Sequence, residues 1–334
     1  MAGVQAAVVW GRRLRDNRGM IDAHLLFLQR LASPAWQHPG FAPYWPILRR
    51  LRRLAGVPPG SEGQLTPTDP DPLAGWDTAC WVDLFNQLAR WRGLRSAAGV
   101  PLRFVAGSDE GAVDYEQRIL RHGEIPCKVS AAGARHDFHN ALVWLRFPRL
   151  KACFNLLHCQ AAPGVWPALE APPGAPASLH GSTRPGRGHR RDALTLLDEN
   201  GALWPGPAAD WVQALRERRW QALFVDGRGA LLSARAPVVI GHGLLEKLHR
   251  PYKSMTAKLL PCPAGGHGLD RQAAAQVQAM AADDSLRPSA LLPLPLQGWP
   301  AWDAANADPA FYDDSQVFRA LPVRTAAGHP RTSA

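Results

Sequence analysis

Apolar positions in the first hundred residues recur at helical spacing, broken by proline-rich joints. From Trp45 to Ala55, Ile47, Leu48, Leu51 and Leu54 share one face and Arg49, Arg50, Arg52 and Arg53 take the other, which predicts a basic amphipathic helix. The Pro-, Gly-, Ser- and Asp-rich stretch 58–72 reads as a linker. Beyond it, Trp81, Leu84, Phe85 and Leu88 form the stripe of a helix running from about Asp77 to Trp91.

From Pro101 the pattern changes. Leu102–Val105 reads as a short strand, Asp114–Arg121 as a helix stopped by Gly123, and Ile125–Val129 as another strand. An apolar helix opening at His136 follows, with Pro148 placed to kink it or to start a new one at Arg149. Residues 161–188, rich in Pro and Gly, read as a long loop. Strand signals come next: Asp192–Asp198 runs into Glu199-Asn200-Gly201, and Asn-Gly is a preferred hairpin turn. Asp210 caps a helix to about Trp220, and Gln221–Val225 turns at Asp226-Gly227 to pair with Ala230–Ala234. The strand Pro237–Ile240 delivers Gly241-His242-Gly243 to a helix, Leu244–His249. Asp270–Ala282 is the last helix before a proline- and aromatic-rich coil from Leu291.

Helices early and hairpins late, without regular alternation, predict an α+β fold. Its N-terminal part is helix-rich, and a small, mostly antiparallel sheet lies in the C-terminal half. The expected organisation is a helical region with basic helix and linker at 1–72, one α+β domain at 73–325, and a flexible tail at 326–334.

Composition removes several classes of function. The 334 residues are 46% hydrophobic, enough for a substantial core. Lys plus Arg outnumber Asp plus Glu by 38 to 28, and the formal charge of +10 favours nucleic acid or another phosphate-bearing partner. No two of Cys80, Cys127, Cys153, Cys159 and Cys262 stand at zinc-knuckle spacing, and the odd set fits a reducing compartment. Arginines 12, 13 and 15 follow the mildly apolar first residues, the reverse of a secretory signal, and no apolar run approaches the roughly 18 residues of a membrane span. A cytoplasmic protein without an integral membrane segment is therefore expected. There is no phosphate-binding loop, dinucleotide glycine fingerprint or Gly-x-Ser-x-Gly elbow, which argues against nucleotide-dependent kinases and dehydrogenases.

Chemistry concentrates in two segments. In the first, His136 and Asn140 fall one turn apart, as do Lys151 and Asn155, so two polar stripes can converge. His136 suits a general base, Asp137 orients an imidazole or caps the helix, Asn155 offers a ligand oxygen, and Lys151 suits a phosphate oxygen. In the second, a strand passes through Gly241-His242-Gly243 into a helix, with His242 and Glu246 one turn apart, a spacing able to present two metal ligands. It is not the zincin pattern. Lys247 and Asp192 are further candidates; Asp198 and Glu199 are accounted for by the predicted turn.

These residues, with Trp144, Phe147-Pro148, the Leu-Thr-Leu-Leu-Asp-Glu-Asn-Gly segment ending at Gly201, Gly298-Trp299 and Phe311-Tyr312-Asp313-Asp314 to Phe318-Arg319, resemble the proteobacterial domain-of-unknown-function 3025 family over about residues 75–320. The resemblance implies no activity or ligand. The chain departs from the family pattern at Cys127-Lys128 and at His139, which makes Cys127 and His139 poor candidates for an essential role. The residues themselves suggest a metal-assisted hydrolase of a phosphate-containing substrate, using a divalent metal: His136, Asp137, Asn140 and Lys151 catalytic, Asn155, His242 and Glu246 on the metal. The alternative is a non-catalytic nucleic-acid-binding or protein-interaction module that uses the basic surface of Arg49–Arg53 and Arg184–Arg191.

Overall fold

Among the described residues three α-helices come first: α1 (Arg18–Leu31), α2 (Trp45–Ala55) and α3 (Thr78–Arg92). The computed structural model describes residues 18–57, 75–107, 114–161, 188–263 and 268–321. The linker at 58–72, all but the ends of the loop at 161–188, and the tail lie outside the described residues.

Helix α2 forms as its stripe predicts, with Ile47, Leu48 and Leu51 buried. Leu54 departs from that face and is 41% exposed, in the last turn of a helix that Gly56, in the left-handed region, ends two residues later. Asp77 caps α3 by accepting from Ala79 N. These helices share one core with the rest of the chain: Phe27, Trp36, Trp76 and Trp81 pack around Phe138. Tyr44 Oη donates to Val239 O at 2.7 Å, and Arg146 Nε to Pro43 O at 2.9 Å.

Strands β1 (Arg103–Ala106) and β2 (Glu124–Cys127) pair in parallel. A helical turn, Tyr115–Gln117, lies between them and continues as a π-turn, Arg118–His122. Helix α4 (Ala131–Arg146) is capped by Ser130, so His136 stands in its second turn and does not open it. From Phe138 to Leu145 the helix is buried on all sides, which makes it the centre of the core. Pro148 starts a new helix, α5 (Pro148–Ala161).

The expected Asp192–Asp198 hairpin is instead helix α6 (His189–Asn200), which leads directly into β3 (Gly201–Pro205). Ala193, Leu194 and Leu197 follow helical spacing and are fully buried, so packing overrides the turn preference of Asn-Gly. The expected hairpin at 221–234 is also helical: α7 (Ala209–Arg216) is followed by a π-turn, Ala222–Asp226, and α8 (Arg228–Ser233), which bury Leu223, Phe224 and Leu231. Then come β4 (Val238–Val239), α9 (His242–Lys247), β5 (Thr256–Cys262), α10 (Leu269–Ala282) and β6 (Leu292–Pro295), the last inside the expected coil. The sheet order is β4-β3-β5-β6, with β3 and β5 parallel and the other two pairings antiparallel. Two prolines are tolerated in β6 because it is an edge strand. The fold is α+β, with a small, mostly antiparallel sheet in the C-terminal half.

All five cysteines are buried and none is in a disulfide among the described residues. Among the described residues no helix is long and apolar enough to cross a membrane.

Candidate metal centre

The last turn of α6, the start of α9 and the second turn of α4 meet at one place. Gly241 lets the α9 junction press against the end of α6, since a Cβ there would stand 2.4 Å from Gly201 N and 2.6 Å from Glu199 O. Gly243 makes room for a side chain: a Cβ would stand 2.6 Å from Glu199 Oε2. The two glycines on either side of His242 thus bring it beside Asp198 and Glu199.

His242 Nε2 lies 3.0 Å from His136 Nε2 and 3.3 Å from Glu199 Oε1, and His136 Nε2 lies 3.7 Å from Glu199 Oε1. These three donors form a group able to hold a metal ion. His242 is the floor of the group, its side chain 7% exposed, while those of His136 and Glu199 are 31% and 39% exposed. The cluster therefore opens to solvent on one side.

Each imidazole has a carboxylate at its other nitrogen. His136 Nδ1 is 3.2 Å from Glu246 Oε2, and Arg135 holds Glu246 with Nε 3.5 Å from Oε1 and an Nη2 bond to its backbone carbonyl at 3.1 Å. His242 Nδ1 is 3.7 Å from Asp198 Oδ1, which the buried Lys151 Nζ contacts at 2.5 Å. The network assigns the protons: His136 donates from Nδ1 to Glu246, which leaves its Nε2 to accept from His242 Nε2.

Electrostatics follow the geometry. Burial opposes charge on His242, but Asp198, together with a bond to Glu199, outweighs it and raises its pKa to about 9. Burial would likewise raise Asp198, yet Lys151 and His242 hold it well below the usual carboxylate range. The His242 bond lowers Glu199; His136 and Arg135 lower Glu246 against the opposing effect of burial.

Of the residues singled out from the sequence, His136, His242, Glu246 and, through Asp198, Lys151 come together here. Asp137 is not one of the metal-ligand group: its Oδ2 accepts from Lys128 N at 2.6 Å, tying α4 to the segment before it, and burial raises its pKa. Asp137 does not cap its own helix, because Ser130 does. Asn140 donates to Tyr115 Oη at 3.3 Å, and Asn155 to Glu116 Oε2 at 2.6 Å, so both bond to the Tyr115–Glu116 turn and not to the metal-ligand group. Burial pushes Glu116 up to about 7. Lys247 is exposed at the end of α9, and Asp192 lies at the opposite end of α6 from Glu199.

His139 is fully buried and stacks on Trp36; its Nδ1 donates to Arg135 O at 2.7 Å, so its Nε2 accepts from His249 Nε2 at 2.9 Å. Burial lowers its pKa to about 3 and takes His249 well below the ordinary value, so the pair is neutral. Sequence reasoning set Glu199 and Asp198 aside as turn residues and did not find Arg135; His249, three residues beyond Glu246, stands with His139 and not with the donor group. The helical spacing of Ala193, Leu194 and Leu197 is the signal that places both carboxylates on a helix end.

The model of a family described as a protein of unknown function (DUF3025) matches residues 102–322. No curated protein and no solved structure matches the chain.

Proposed function

The chain belongs to the DUF3025 family, and we propose that it is a metal-dependent hydrolase in which His136, His242 and Glu199 hold one divalent ion. The observation that carries this reading is the triangle of donors. For bonds of about 2.0–2.1 Å, a tetrahedral site has ligand edges of about 3.3 Å and an octahedral one about 3.0 Å. The edges of 3.0, 3.3 and 3.7 Å fit the tetrahedral case better. Three protein ligands with a solvent-facing fourth position are the mark of a catalytic centre, whereas structural zinc sites are closed by four. When bound, the ion supplies a Lewis acid that activates water or polarises a substrate oxygen. Glu199, the most exposed of the three, borders the open position, and the formal charge of +10 favours a phosphate-containing substrate.

The test is zinc analysis of the purified protein with turnover of a phosphoester panel, for wild type and His136→Ala. One equivalent of metal and turnover in the wild type, both lost in a variant whose metal-free melting temperature is unchanged, is expected. Equal turnover in the variant, or no stoichiometric metal in the wild type, overturns the proposal.

A second reading rests on α2. Its apolar face is sealed in the core, so it cannot insert into a membrane, yet Arg49 and Arg53 are exposed and Arg50 lies 3.8 Å over the ring of Trp91, itself 60% exposed. An arginine row beside an exposed indole suits a phosphodiester strand with a stacking base.

A further inference from the structure

We infer that Asp198 and Glu246 are positioning residues that hold the two imidazoles in the metal-binding form, each carboxylate engaged by its own cation, and that the ion is of the zinc class. The inference rests on the metal reading above and adds what orients the ligands and which ion they suit.

An imidazole that binds a metal through Nε2 must carry its proton on Nδ1, and a carboxylate at Nδ1 fixes that tautomer and the ring plane. Each ring has a carboxylate facing its Nδ1, from different elements. On the α4 side the order is Arg135, Glu246, His136; on the α6 side it is Lys151, Asp198, His242. The inner order is therefore cation, carboxylate, imidazole in both cases, converging on the same point beside Glu199.

The two arms differ in readiness. Glu246 already stands at hydrogen-bond distance from His136 Nδ1, at 3.2 Å. His242 Nδ1 is buried without a hydrogen-bond partner, and Asp198 Oδ1 at 3.7 Å is the carboxylate facing it. Closing that gap takes a side-chain adjustment of less than about 1 Å, and it satisfies an atom that would otherwise remain unpaired in the interior. Asp198 and Glu246 face the Nδ1 nitrogens and do not belong to the donor group of His136, His242 and Glu199. The donor set stays at two nitrogens and one oxygen, which suits zinc and its neighbours; magnesium and calcium prefer all-oxygen sites.

The experiment uses cobalt(II) as the probe, because four-coordinate cobalt absorbs in the visible. The full chain is titrated as wild type, as Glu246→Gln, and as the paired variant Asp198→Asn with Lys151→Met, which avoids leaving a buried lysine alone. Expected are one cobalt per wild-type chain with a visible band, affinity about 10- to 100-fold weaker in each variant, no displacement by millimolar magnesium, and unchanged metal-free melting of Glu246→Gln. Equal affinity in wild type and Glu246→Gln, or displacement of cobalt by magnesium, overturns this inference and leaves the metal reading standing. Absence of cobalt binding by the wild type overturns the metal reading itself.

Discussion

Replacing Gly243 by alanine separates binding from folding at this centre. A Cβ at 243 would stand 2.6 Å from Glu199 Oε2 and 3.2 Å from the Glu199 carbonyl, whereas ordinary contact begins near 3.4 Å. The carboxylate oxygen must retreat by roughly 0.8 Å, and because it is the free end of a flexible side chain, the fold gives way at little cost. Alanine within a helix is also favoured over glycine by about 1 kcal/mol. The metal-free Gly243→Ala protein should therefore melt at or slightly above the wild-type temperature. The displaced atom is Oε2 and the donor is Oε1 of the same carboxyl group, so the shift carries the donor along, and because metal–ligand distances tolerate only about 0.2 Å it takes Glu199 out of the donor set. Zinc affinity, measured by competition with a chromophoric chelator, should fall by at least about 100-fold, beyond what loss of an outer partner produces.

Gly241 supplies the contrast. A Cβ there meets Gly201 N at 2.4 Å and Asn200 N and Glu199 O at 2.6 Å, all backbone atoms that cannot swing aside. Gly241→Ala should cost on the order of 1–3 kcal/mol of stability itself. A folded Gly243→Ala protein with wild-type zinc affinity would falsify the assignment of Glu199 as a ligand.

Two further outcomes are expected. Glu116 has its pKa raised from 4.5 to about 7 by burial, so its stabilising contribution is full below about pH 4.5 and is lost as pH rises through 7. Glu116→Gln, which keeps an acceptor for Asn155, should lack that loss, gaining up to about 3 kcal/mol on wild type between pH 5 and pH 8 in urea unfolding; parallel pH profiles for the two proteins would refute it. For the arginine face of α2, a labelled single-stranded oligonucleotide should bind with an affinity that falls steeply with salt, and Arg49→Gln with Arg53→Gln should reduce the salt slope by about 1–2. An unchanged slope removes the face from consideration.

Helices α2, α3 and α10 were legible because their stripes, and for α3 the capping aspartate, are local. Helix α6 was not, since Thr195 between Leu194 and Leu196 imitates strand alternation and Asn200-Gly201 imitates a hairpin turn; only the burial of Ala193, Leu194 and Leu197 against the core decides for helix. That misreading also hid the site, because Asp198 and Glu199 had a sufficient explanation as turn residues. Strand β5 escaped for a different reason: Lys258 and Pro261 interrupt its apolar run, and its place is set by pairing with β3 and β6 from distant parts of the chain. His136 and His242 were found because imidazoles in apolar surroundings stand out locally. Their contact, across more than a hundred residues, is a product of α4, α6 and α9 packing together.

The buried Lys151–Asp198 pair is hard to understand as a device for stability. Lys151 is 4% exposed, and an ion pair so placed loses about as much in desolvation as it gains in attraction, so well-packed apolar residues would serve the core equally or better. Trp144, whose ring lies 5.5 Å from Lys151 Nζ, shows that the surroundings are otherwise those of a core. What the pair does provide is a carboxylate that stays ionised inside the protein, aimed at the unpartnered nitrogen of His242. A neutral or protonated acid at 198 would leave that imidazole without orientation. The desolvation cost is thus explained by what Asp198 does to His242, and the same logic applies in weaker form to Arg135 and the less buried Glu246.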